Sequence, residues 1–383
     1  MKNCTYVKET DNSNFIVLYL FQFSFLTVII PIIPISISAI ILTFLLLVFY
    51  FLVKGKSTFY ISKKVLIFAL IPIVLLLVKG LTSPKSNVSS IVLDYMSYGC
   101  MSMYFGSRYC KTDNFLESCR KVSLFTFIML CLLPVFNIDL FDGYMRYGYA
   151  MLPVVDVFLY QCIENKQKRI WYAVLYIVAL LEMAIFGARG CLFSHALFVF
   201  LICFYVYSPQ KRFLLKLSIG IISLILFLNL ESVLIFLKNF FNNLGYRVYA
   251  IDKYIMQLEG GFESASSGRS TIWEMALDVI KEHPFWGGTI GNDINGLEYY
   301  HNFLLQIGAE FGVIILIICI VAIVIMVIKV LKTKDKSKRY VFCLLFSITF
   351  GRLMFSSSYW LRPELWLLIG MYLSGKFTNE RSY

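Results

Sequence analysis

Residues 15–53 read FIVLYLFQFSFLTVIIPIIPISISAIILTFLLLVFYFLV, and no charged side chain interrupts them. A spanning helix needs only about 20 apolar residues, so the run is too long for a single crossing. Pro31 and Pro34 stand near its middle, where a fixed φ and a missing N–H favour a turn. The stretch is therefore read as two membrane helices, 15–31 and 34–53, joined by a tight re-entry.

The same pattern repeats outward from this pair. Apolar runs bounded by charged or Pro/Gly-containing breaks predict further spans at 63–79, 88–107, 121–136, 144–162, 170–187, 190–207, 214–236, 301–328, 340–356 and 359–375. Two of them carry an internal carboxylate, Asp94 and Asp156. The chain is 59% hydrophobic and 15% charged, with a mean hydropathy of +0.75. Soluble domains carry about 25% charged residues, and no water-soluble fold hides this much apolar surface. The fold class is an all-α polytopic membrane protein of about 12 transmembrane helices.

The positive charges test that reading, because Lys and Arg are retained on the cytoplasmic side of short loops. Alternate connections carry Lys54, Lys56, Lys63 and Lys64; Arg108, Lys111, Arg120 and Lys121; Lys166, Lys168 and Arg169; Lys211, Arg212 and Lys216; and six basic residues from Lys329 to Arg339. These connections and both termini are expected in the cytoplasm. The net charge of +12 is thereby accounted for without nucleic acid. The polar stretch Met1–Asn14 leads into an apolar run too long for a signal peptide and without an Ala-x-Ala-like site, so the first helix reads as an uncleaved anchor.

The intervening, external connections are short or sparsely basic, with one exception. Three parts follow: helices one to nine over 1–236, a large extracytoplasmic loop with short helices over 237–300, and three last helices with a cytoplasmic tail over 301–383. A loop of this length exceeds ordinary connections and is expected to fold on itself and carry function. Ten cysteines lie scattered without a CxxC pair; Cys131, Cys203, Cys319 and Cys343 fall in apolar runs and read as small core residues. No metal cluster, internal repeat, P-loop, Rossmann fingerprint, HExxH or GxSxG pattern accompanies them.

Within the loop, Thr271 and Glu274 have capping-box spacing, which predicts a helix with Thr271 as N-cap. Ile272, Trp273, Ala276, Leu277 and Ile280 share its apolar face, and Pro284 and Gly287–Gly288 end it. Arg269 then stands at a helix amino terminus, where backbone N–H groups and the dipole favour an anion. Its fork suits a phosphate, or it pairs with Glu263 or Glu274. Arg189 lies in a break of a few residues, Phe186–Gly190, between two strongly apolar helices. A charge there needs compensation, from Glu182, from snorkelling to the interface or from an anionic substrate.

His301 opens the tenth span after Tyr299–Tyr300 and is the best candidate general base, since an imidazole accepts a proton near neutral pH. His195, in an apolar helix, and His283, before Pro284, read as packing or turn residues. Gly308 and Gly312 on the His301 helix predict close packing. Asp94, Asp156, Glu182 and Glu310 leave open a rival class, a proton-coupled flippase or transporter for lipid-linked sugars.

Ser267-Gly268-Arg269, Trp273, His283-Pro284 with Gly287, and His301-Asn302 with Gly312 occur in this order in a large loop between late spans. This order resembles the bacterial O-antigen polymerase and O-antigen ligase family. Arg189-Gly190 and Arg146 resemble the family's arginines at external helix ends. Ile315 and Phe193 depart from the ligase-type signatures and lean towards polymerase.

The resemblance implies a GT-C-like glycosyltransferase of the bacterial inner membrane, without metal or cofactor, with its site facing the periplasm. His301, Arg189 and Arg269 are the implied catalytic residues. Arg146, Trp273, Tyr299 and Asn302 are the implied diphosphate- and sugar-binding residues. The implied partners are undecaprenyl-diphosphate-linked oligosaccharides as donor and acceptor, membrane lipid and, for a polymerase, a chain-length regulator protein; a ligase would instead transfer the chain to lipid A core. No nucleic acid is implied.

Overall fold

The computed structural model describes residues 11–32, 39–54, 61–82, 88–108, 110–135, 144–206, 230–243, 245, 249–259, 269–288, 290 and 299–378. Among these residues the secondary structure is helical throughout. The first half comprises α1 (Ser13–Leu20), α2 (Gln22–Ile32), α3 (Ala39–Lys54), α4 (Lys63–Thr82), α5 (Val88–Asp94), α6 (Met101–Ser107), α7 (Thr112–Val135) and α8 (Tyr144–Glu164). The second comprises α9 (Arg169–Phe186), α10 (Arg189–Leu201), α11 (Leu230–Asn243), α12 (Tyr249–Glu259), α13 (Arg269–Glu282), α14 (Phe303–Leu331), α15 (Lys336–Leu353) and α16 (Pro363–Leu373).

Among the described residues, four helical stretches are long and apolar enough to cross a membrane: Lys63–Thr82, Arg169–Phe186, Arg189–Val206 and Phe303–Leu331. The remaining apolar runs, where described, also fold as helices, several of them interrupted. A π-helical turn at Tyr95–Cys100 joins α5 to α6, and another at Ile202–Val206 extends α10. The proline turn expected between α2 and α3 and most of the ninth expected span, 214–229, lie outside the described residues. α11 runs from Leu230 past the loop boundary expected at 237.

α7 begins at Thr112, nine residues before the expected 121. A run of charges ends an apolar stretch but does not end a helix. Glu117 pairs with Arg120 at 2.5 Å on the projecting turns, the i, i+3 arrangement that supports a solvated helix end.

α8 is the axis of the bundle: Tyr147, Met151, Leu152, Val155 and Phe158 are fully buried. It packs against α7, α9, α10, α2 and α15. Lipid tails are as apolar as leucine, so such helices are held by close fit and interhelical hydrogen bonds. Ser24 Oγ donates to the Ala150 carbonyl at 2.9 Å, tying α2 to α8. Tyr19 and Ser102 hydroxyls meet at 2.6 Å between α1 and α6. Large apolar side chains such as Leu52, Leu81, Ile170 and Ile318 point outward, the surface a lipid environment requires.

Polar contacts gather the helix ends into two groups. Lys336 to Glu164, at 2.6 Å, and Arg120 to Tyr172, at 3.2 Å, join one end. The other end holds Tyr147 bonded to Glu182, Lys79 bonded to the Gly287 and Gly288 carbonyls, and Tyr149 bonded to Ser356. The candidate residues collect at this second end.

Candidate functional site

The site is built on an interlock between the end of the loop and α14. Gly312 breaks α14 with φ +84°, and Gly287 has φ +71°. Both are conformations that side chains with a Cβ resist. The break frees backbone groups, and the Pro284–Gly288 turn takes them up. Gly288 N–H donates to the Ala309 carbonyl and Val313 N–H to the Pro284 carbonyl, both at 2.7 Å. A Cβ on Gly312 would lie 2.6 Å from the Phe285 carbonyl. Lys79, fully buried, donates to Gly287 O at 3.1 Å and Gly288 O at 2.8 Å, fastening the turn to α4.

This interlock lays α13 along the head of α14. Ile272, Ala276 and Ile280 of the expected apolar face, joined by Val279, pack with Tyr300, Leu305 and Ala309, whereas Trp273 is not part of this cluster and Leu277 is exposed. The helix begins at Arg269, so Thr271 lies in its first turn and is not the N-cap. Neither Arg269 nor Ser270 breaks a helix, and the packing of Ile272 and Ala276 carries the first turn back past Thr271. Ser267 and Gly268 lie outside the described residues.

His301 precedes α14 with φ +54°, the left-handed conformation that histidine adopts more readily than most residues. Asn302 is the true cap of α14: its Oδ1 accepts from Leu304 N–H at 3.0 Å and Leu305 N–H at 3.2 Å. The two together turn the His301 ring onto Tyr299, with centroids 4.4 Å apart. His301 Nδ1 is buried and has no hydrogen-bond partner among the described residues. Burial, reinforced by the Arg269 charge, lowers the His301 pKa below its ordinary 6.5, against an opposing effect of the Phe355 backbone. The ring is therefore neutral at pH 7 and able to accept a proton.

The connection after α15 forms the floor. Tyr299 Oη donates to the Ser356 carbonyl at 3.2 Å, and Ser356 Oγ donates to Tyr149 Oη at 2.6 Å. The Arg352 guanidinium lies over Tyr149 at 4.6 Å and over Phe23 at 4.1 Å. Arg362 Nε donates to Ser357 Oγ. Arg269 is near enough to act electrostatically on both His301 and Tyr149.

Arg189 opens α10 and stacks on Tyr254 of α12 at 5.7 Å. Its neighbour Gly190 lies against the Tyr149 ring and Phe355. Glu182 accepts from Tyr147 at 2.8 Å. Trp273 Nε1 is buried with no partner among the described residues. Arg146 is exposed on the first turn of α8.

The structure thus brings Arg269, Tyr299 and His301 together, packs Gly190, the neighbour of Arg189, against Tyr149 of the floor, uses Asn302 as a cap, and leaves Arg146 on the surface. Arg352, Arg362 and Tyr149 complete the cluster and were missed by sequence reasoning. A signal was present. Two arginines flank the last short connection, on the side where the positive-inside rule predicts few, and such an exception asks for a reason.

Membrane-length helices with a histidine and several arginines gathered at one end of the bundle describe a helical membrane protein with a polar, arginine-rich cluster at that end. Residues 174–320 match the family model described as O-Antigen ligase. The match agrees with the resemblance carried by the motifs of that segment. Arg189, Trp273, Arg269 and His301 fall inside the match; Arg146, Arg352 and Arg362 fall outside it. No curated protein matches the chain.

Proposed function

We propose that the chain is a glycosyltransferase of the bacterial inner membrane that polymerises undecaprenyl-diphosphate-linked oligosaccharides at the periplasmic face. The observation that carries this reading is the buried His301 Nδ1, without a hydrogen-bond partner among the described residues and within the field of Arg269. Such a pair suits attack of a sugar hydroxyl on a phosphate-bearing carbon. The acceptor oxygen bonds to the anomeric carbon as the bond from that carbon to the diphosphate breaks. His301 takes the hydroxyl proton, and undecaprenyl diphosphate leaves with the electron pair. Arg269 and Arg189 offset the negative charge that develops on it. Tyr299 and Trp273, with its free indole N–H, are suited to contact sugar.

A ligase that hands the chain to lipid A core would use the same chemistry, and the family match is compatible with either activity. A flippase is less well supported, because three of its candidate coupling carboxylates have local partners. Asp156 bonds to His195, Glu182 to Tyr147, and Glu310 to Gln306 and Trp360.

Deletion of the gene, followed by analysis of surface glycan and the lipid-linked pool, separates the readings. A polymerase leaves core capped with a single repeat. Long chains retained on the carrier indicate a ligase, units trapped in the cytoplasm indicate a flippase, and an unchanged profile overturns the glycan assignment.

A further inference from the structure

We propose that Arg352 and Arg362 form a binding site for a phosphate-type dianion, the diphosphate of the polyprenyl-linked sugar, on the floor beneath His301. This rests on the lipid-linked transferase reading and adds residues that lie outside the matched family segment.

The argument begins with charge. Both guanidiniums lie over one ring, Phe23, at 4.1 and 5.9 Å, and they are close enough to repel each other. Among the described residues one carboxylate pairs with them, Glu364, and it reaches Arg352 Nη1 only at 4.0 Å. That side of the site therefore holds two cations against one anion. Arg352 is 8% exposed and Glu364 6% exposed, with Arg362 half-buried, so water does little to offset the charge at Arg352.

Hydrogen bonding leaves the same deficit. Arg352 Nε and Glu364 Oε2 are buried with no partner among the described residues. Native structures rarely leave such atoms unsatisfied, and an arginine whose Nε has no acceptor among the described residues, beside a second guanidinium, matches the oxygens of a phosphate. A structural staple between α15 and α16 would need only one arginine on Glu364, at shorter range.

Place supplies the ligand class. Tyr149 carries Arg352 on its ring and lies within the field of Arg269, while Tyr299 links the floor to His301. A dianion held here sits beside the proposed base at the ends of the helices, where the headgroup of a membrane-anchored diphosphate lies.

The test is binding to full-length protein in neutral-lipid nanodiscs, titrated with undecaprenyl diphosphate, with inorganic pyrophosphate or added phosphatidylglycerol as competitors. Arg352→Gln and Arg362→Gln should each weaken binding about ten- to a hundredfold, the loss expected for charged hydrogen bonds. Glu364→Gln should tighten it, because a competing carboxylate is removed. A staple requires the reverse, with Glu364→Gln losing thermal stability and affinity together. Competition by pyrophosphate supports a diphosphate headgroup, whereas displacement by phosphatidylglycerol alone overturns that assignment. Wild-type affinity in both arginine variants overturns this inference and leaves the transferase reading standing. A wild-type protein that does not bind undecaprenyl diphosphate overturns both.

Discussion

His195 and His301 occupy opposite kinds of surroundings in one chain. His195 lies in the middle of the bundle with both ring nitrogens engaged, Nδ1 to Asp156 at 2.6 Å and Nε2 to the Tyr176 hydroxyl at 3.0 Å. Around it Phe198 packs closely and Tyr340 bonds to the Asp156 carbonyl at 3.0 Å. His301 stands at a helix head with a left-handed backbone, a nitrogen without a partner and an arginine nearby. One imidazole is used up in holding helices together; the other is held ready by helices already in place. Burial alone does not separate a structural histidine from a reactive one. What separates them is whether hydrogen-bonding capacity remains.

The comparison breaks most visibly at His301. His301→Ala should lower transfer by about 10²- to 10⁴-fold, the usual contribution of a general base, while the protein still accumulates in the membrane. Near-wild-type transfer in that variant would remove His301 from the mechanism. His195→Ala should do the reverse. It leaves Asp156 buried without its partner and costs about 1–3 kcal/mol of stability, seen as a lower thermal transition with activity per folded molecule retained. A loss of turnover without a loss of stability would place His195 in the chemistry after all.

A smaller effect tests the cap. Asn302→Ala should cost about 1 kcal/mol, whereas Asn302→Ser, which can still cap, should cost much less. If Ser fails as badly as Ala, Asn302 also contacts substrate. The finest prediction concerns pH. His301 works only when neutral, so activity should fall on acidification with a midpoint below 6.5. Removing the Arg269 charge eases protonation of His301. In Arg269→Gln the residual activity should therefore lose its acid limb at higher pH than wild type. An unmoved limb would separate the two residues.

Much of this was legible in the sequence for physical reasons. Apolar runs locate helices because hydrocarbon demands them, so α4, α9, α10 and α14 fall within a few residues of expectation. Arg189, Arg269 and His301 were visible because each interrupts an apolar pattern at a helix end. The start of α7 was not, since charge marks the edge of the membrane and not the end of a helix. Arg352, in the last turn of α15, carried only the signal of a basic residue at an unexpected end, and its contacts with Phe23 and Tyr149, remote in sequence, were not readable. The capping role of Asn302 needed only its position before α14, but a motif that joins it to His301 drew attention to chemistry instead.

The most direct test of the central claim is chemical rescue of His301→Gly in reconstituted membranes supplied with lipid-linked oligosaccharide. Added imidazole should restore transfer in proportion to its neutral form and leave the wild type unchanged. Restoration would mean that the missing function is proton acceptance at that place. A variant that binds substrate normally, stays folded and is not revived by imidazole or related bases would contradict the assignment of His301 as the base.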